Sequence, residues 1–246
     1  MRTTAVLWTI ACLLIYLGTG AEPLLGQKET LQGGHKHTLG FNEKMRITVP
    51  EFQAAGRPMA EVAVSMAYRY KVPMAIEHVD RNALRKPLRL KIKDQSVRRI
   101  IAAVVAAVPG YRVDFSQGLV DIYSPAARTD PSNPLNTVIS RYDVDGLDTH
   151  LADAELLCDI ARQLRGRSGC GGSVAGGQWG NRKITLHLRD KRAYEILNAI
   201  IAQNGEALWI PMKRPKEGSP LIMGNLWYIY PLDRSFESSA LGRLKG

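Results

Sequence analysis

The chain has 246 residues, of which 45% are hydrophobic and 23% charged, with a formal net charge of +10. That apolar fraction excludes wholesale disorder, and the length admits one large domain or two small ones. Lys and Arg are scattered along the chain without a dense block, which argues against nucleic acid and is accounted for by a solvated basic surface.

Arg2 precedes an apolar run, Ala5–Leu17, that ends in the small residues Gly18, Thr19, Gly20 and Ala21. This order predicts a secretory signal peptide over 1–21 and a periplasmic or secreted protein, with an uncleaved anchor as the alternative. The run is short for a membrane span, which takes about 20 residues. Outside the cytosol, the anionic neighbours for a basic chain are lipid head groups, acidic polysaccharide or an acidic protein face. Residues 22–44 are polar and Gly-punctuated and read as a flexible leader.

A first unit is predicted over 45–125. Ile47 and Val49 alternate in a strand over Met45–Phe52. Met59, Val62, Ala63, Met66, Ala67 and Tyr70 then fall on one face of a helix that Pro73 ends. Met74–Val79 is a short strand. In Leu88–Lys93, Leu88, Leu90 and Ile92 alternate with Arg89, Lys91 and Lys93, as in a strand with one buried face. Asp94 or Ser96 can cap the next helix, whose stripe is Val97, Ile100, Ile101, Val104, Val105 and Val108. Pro109-Gly110 stops it, and Tyr111–Phe115 and Leu119–Tyr123 form a hairpin.

Residues 126–136, rich in Pro, Ser, Asn and Asp, read as a linker. The plan then repeats over 137–233, before a C-terminal tail at 234–246. LRLKIKDQSVRRIIAAVV at 88–105 is answered by ITLHLRDKRAYEILNAII at 184–201, with Asp190 in the place of Asp94. The elements are a strand over Val138–Val144, a helix over Leu151–Leu164, a strand at Ile184–Leu188, a helix stopped by Asn204-Gly205, and strands at Ala207–Met212 and Leu226–Tyr230. The predicted fold is α+β: two tandem βαββαββ modules, each a small mixed sheet with two helices packed on one face.

The order of elements resembles the secretin and TonB short N-terminal domain: a strand, the helix xPMxEVxxxMAxxY at 57–70, a charged alternating strand, an Asp-led helix and a closing hairpin. Residues 47–123 carry the resemblance best and 138–230 more loosely, through apolar spacing with few fixed identities. The resemblance implies a periplasmic module of Gram-negative envelope proteins that binds partner proteins and has no catalytic residues. The chain lacks the β-rich membrane barrel that normally follows, so no pore or receptor role transfers. It also carries a glycine-rich stretch where the first unit has its strand Met74–Val79.

Cys158 and Cys170 are a candidate disulfide for an oxidising compartment, which would contribute roughly 2–3 kcal/mol, with two buried free thiols as the alternative. The loop at 166–180 (GRSGCGGSVAGGQWG) contains neither the Walker nor the Rossmann glycine spacing, so a tethered loop explains it more simply than a phosphate cradle. If it binds anything, Trp179, Asn181 and Arg182 are the contacts. His35 and His37 lack a nearby third ligand, so no metal or other cofactor is expected. No nucleophile elbow or supported carboxylate pair points to an enzyme. Arg89, Lys91 and Lys93 with Arg98 and Arg99 form a basic strip beside a sheet edge. It suits an acidic envelope-protein segment adding as a strand, or serves as ordinary edge protection. The expected function is a non-enzymatic binding or scaffolding module of the envelope. The alternatives are an enzyme using the glycine loop and a charge-driven binder of anionic polymer.

Overall fold

The computed structural model describes residues 39–77, 86–165, 182–211 and 226–245. The predicted signal peptide, most of the leader and the glycine loop lie outside them.

Among the described residues, the β-structure consists of two antiparallel ribbons and one five-stranded sheet. In the first ribbon β1 (Thr48–Gln53) pairs with β3 (Lys91–Ser96), and in the second β6 (Val138–Asp148) pairs with β7 (Lys183–Arg192). The sheet contains β2 (Met74–Ile76), β4 (Arg112–Asp114), β5 (Val120–Tyr123), β8 (Ala207–Pro211) and β9 (Trp227–Pro231), in the order β4-β5-β2-β8-β9. Its centre is the parallel pair β2–β8, in which Met74 faces Leu208 and Ala75 faces Trp209 across the join between the two halves. The fold is α+β as expected.

Side chains alternate across a strand, so the sheet feeds two apolar clusters. Met74, Ile76, Val120, Ile122, Leu208 and Ile210 join ribbon β1–β3, α2 (Met59–Tyr70) and α3 (Val97–Ala106). Ala75, Leu119, Trp209, Trp227 and Ile229 join ribbon β6–β7, α5 (Thr149–Arg165) and α6 (Ala193–Asn204). Each half buries much of its helix stripes, although Leu151 and Leu164 at the ends of α5 are exposed, and the two cores lie on opposite faces of one shared sheet. Residues 39–246 accordingly cluster as one compact unit.

Three segments differ from the sequence reading. The end of the leader forms α1 (Phe41–Arg46), where Lys44 and Met45 are buried and the Gly40 N–H donates to Glu43 Oε2 at 2.7 Å. The expected linker forms α4 (Pro125–Thr129) and a 3-10 turn at Pro134–Asn136. Asn133 and Asn136 Nδ2 both donate to the Ala127 carbonyl, and Ala127 and Leu135 are buried. The expected tail forms α7 (Glu237–Lys245), which packs on α2 and buries Ala240. Ala60, Val64 and Tyr68, four residues apart on α2, form a second buried stripe on that helix.

The strand predicted at Leu88–Lys93 sits slightly later. Leu88 and Leu90 nevertheless extend the ribbon, since the Ala54 N–H donates to Leu90 O and the Gly56 N–H to Leu88 O, at 3.0 and 2.8 Å. Ser96 caps α3, its Oγ accepting from the Arg99 N–H at 3.3 Å. Asp94 does not cap. It and Asp190 both adopt φ 50, two residues before the N-caps Ser96 and Arg192, and each ladder skips that position. Asp tolerates this left-handed conformation, whereas a β-branched side chain clashes there. Asp94→Val and Asp190→Val are each expected to lower stability by about 1–2 kcal/mol, with Asp→Gly tolerated at both positions in thermal denaturation.

Candidate binding surfaces

Arg89, Lys91 and Lys93 lie on or beside β3 of the first ribbon, and Arg98 and Arg99 lie in the first turn of α3. Leu90 and Ile92 pack against the core, so Arg89, Lys91 and Lys93 project from the opposite face, and all three are exposed. Backbone direction alternates with the same period. The Leu88 and Leu90 groups bond toward residues 54–57, so those of Arg89, Lys91 and Lys93 point away from β1. No other strand pairs with β3 among the described residues. The residues that carry the charges thus also carry the unpaired edge.

Part of the strip is engaged. Lys91 Nζ lies 3.1 Å from Glu51, the Arg98 guanidinium stacks 4.4 Å over the Phe115 ring, and Arg99 donates to Gln95 Oε1 at 3.1 Å. Arg182 lies immediately before β7 and pairs with Glu206 at 3.0 Å. Trp179, Asn181 and Cys170 lie outside the described residues, so the glycine loop and the expected bridge from Cys158 on α5 fall outside them too.

The second ribbon has the same plan but balanced charge. Lys183 pairs with Asp148 and Lys191 with Glu195, at 3.0 and 3.6 Å. Arg189 and Arg141 hold the Asp143 carboxyl well below the usual carboxylate range, and His187 Nδ1 lies 3.3 Å from it.

The sequence reading missed a buried polar chain between the halves. Arg128 of α4 donates through Nε to Glu77 Oε1 at 2.9 Å and contacts Asp121 Oδ2 at 2.6 Å. Its guanidinium lies between the rings of Tyr123 and Tyr194, 3.6 and 4.2 Å from their centroids. From Asp121 the chain continues through Asn198 Nδ2 at 3.0 Å to Trp209 Nε1, which donates to Asn198 Oδ1 at 2.8 Å. Burial pushes the Glu77 carboxyl up to about 7 despite Arg128, and it raises Asp121 as well. Among the described residues, Glu77 Oε2 and Asp121 Oδ1 have no hydrogen-bond partner. An Asp inside the apolar run Leu119–Tyr123 was the available signal, since a carboxylate in a sheet centre requires a cation. This chain ties α4, β5, α6 and β8 together and reads as a structural clamp.

No family model, curated protein or solved structure matches this chain. Any functional reading therefore stands on the residues themselves. Among the described residues no helix is long and apolar enough to cross a membrane, and no cluster of three or more His, Cys, Asp or Glu could hold a metal ion.

Proposed function

We propose that the chain is an exported, non-enzymatic binding module of the bacterial cell envelope that captures an acidic, extended segment of a partner protein along the free edge of β3. The carrying observation is the coincidence of exposed Arg89, Lys91 and Lys93 with the outward-facing backbone groups of the same residues. An added strand would gain main-chain hydrogen bonds, and its acidic side chains would lie beside the lysines. The repeat supports a duplicated ancestry, in which two modules similar to the secretin and TonB short N-terminal domain have merged through a common sheet. The resemblance and the predicted export signal together point to the periplasm.

The test is fluorescence anisotropy with a labelled octapeptide alternating Glu and Val. Lys91→Glu/Lys93→Glu is expected to weaken binding at least tenfold. A peptide N-methylated on alternate residues, unable to donate to the edge, is expected not to bind. If the methylated peptide binds equally well, strand addition is wrong and charge alone attracts the ligand. Retention on heparin with a steep salt dependence would then favour an anionic polymer.

A further inference from the structure

Beside the open edge of β7 lies a groove of about 370 Å³, lined by Leu186 and Leu188 of the strand, Ala199, Ala202 and Gln203 of α6, and Gln117. No other strand pairs with this edge among the described residues. At Thr185 the edge is met instead by a side chain. Gln203 Oε1 accepts from the Thr185 N–H at 2.9 Å, and Gln203 Nε2 donates to the Thr185 carbonyl at 3.1 Å. One primary amide thus makes the donor–acceptor pair that a residue of an adjoining strand would make. Strand alternation directs the main-chain groups of His187 and Arg189 to the same side as those of Thr185.

The repeat shows what is particular to this half. In the offset that matches Asp190 to Asp94, Ala199 and Ala202 correspond to Ala103 and Ala106, so small helix residues flank the free edge in both halves. Gln203 corresponds to Ala107 and Glu195 to Arg99, so the first half has no latch and a basic rim. In the second, the Lys191–Glu195 pair leaves the rim without net charge above an apolar floor.

We propose that this groove is a second strand-docking site, latched by Gln203, for an uncharged extended peptide with alternating apolar side chains. Such a peptide continues the ladder at His187 and Arg189, displaces the Gln203 amide from Thr185 and sets alternate side chains over Ala199 and Ala202. The neutral rim disfavours the acidic segment suited to β3, because Glu195 offers it no partner. The site rests on the amide latch and the groove, independently of the basic strip.

The experiment uses the full chain and a fluorescein-labelled Thr-Val octapeptide, blocked at both ends, followed by anisotropy and by amide shifts. Gln203→Ala, an exposed helix position where Ala is a good former, is expected to tighten binding at least fivefold. Ala199→Arg, which fills the groove, is expected to weaken it at least tenfold, with melting curves confirming that both variants fold. Amide shifts should move at Thr185, His187 and Arg189. Neither Lys91→Glu/Lys93→Glu nor a rise in salt should alter the affinity, which separates this site from the β3 edge. Absence of saturable binding to Gln203→Ala, equal affinities with and without the latch, or shifts confined to Arg89–Lys93 would overturn the proposal.

Discussion

Arg128→Ala is expected to cost about 3–5 kcal/mol of stability at pH 8, the usual penalty for stranding a buried charge. The side chains of Glu77 and Asp121 are only 3% and 10% exposed, so neither carboxylate can turn to water once its cation is gone. The variant also loses the stacking of the guanidinium between Tyr123 and Tyr194. Asp114, Asn198, Tyr123 and Tyr194 face this pocket, with Glu195 and Arg192 beside Tyr194, and Arg192 is already engaged through a hydrogen bond to the Arg128 carbonyl at 2.9 Å.

Glu77 titrates at about 7 in the folded protein against an ordinary value of 4.5, so between those values the folded state binds more protons than the unfolded chain. Stability from this group is fully present below pH 4.5 and is lost as pH rises to about 7. Removing Arg128 takes away the interactions that pull both carboxyls down, so their titration moves higher and the recovery on acidification grows. Urea denaturation at pH 5 and pH 8 should therefore show a larger gap for Arg128→Ala than for the parent. Adding Glu77→Gln, which removes one stranded charge, should restore part of the loss at pH 8. An Arg128→Ala protein equally stable at both pH values would show that the triad carries no such energy.

Much of the local structure was legible because each signal is short-range. The paired apolar steps of Ile100, Ile101, Val104 and Val105, and their counterparts Ile196, Leu197, Ile200 and Ile201, name the buried faces of α3 and α6. Alternation in 88–93 likewise fixes which side chains of the first ribbon reach solvent. What escaped depends on distant partners. Met74 and Leu208 pair although roughly 130 residues separate them, and three apolar residues in a row do not announce a neighbour. The second stripe of α2 is composed mainly of small residues and a Tyr, which fit an amphipathic helix with one buried face equally well. The Pro- and Asn-rich segment misled because Asn133 and Asn136 spend their polarity inside the fold, on the Ala127 carbonyl.

The candidate surface divides the same way. Arg89, Lys91 and Lys93 are a pattern in the sequence, whereas the latch of Gln203 on Thr185 requires α6 to lie beside β7.

Separating the halves is expected to destroy the fold rather than yield two smaller ones. A fragment of residues 39–130 keeps the first ribbon, α2 and α3, yet loses Leu208, Ile210, Tyr230 and Leu232 from its cluster. Each such side chain contributes about 1.5–3 kcal/mol when buried, so the loss alone rivals the roughly 5–15 kcal/mol that holds a domain folded. The bare edge of β2 and the uncovered stripe of α2 add further exposed apolar surface. The complementary fragment, 131–246, loses Ala75 and Leu119 from its cluster, and Asn198 and Tyr194 lose Asp121 and Arg128. Neither piece alone should show a cooperative melt, and Trp209 should give no near-ultraviolet dichroism in the second. Mixed in equal amounts, the two should regain both signals, because the β2–β8 pair and the Arg128 clamp re-form between chains. If either fragment melts cooperatively by itself, the shared sheet is a contact between finished modules and contributes less than the folding energy of either.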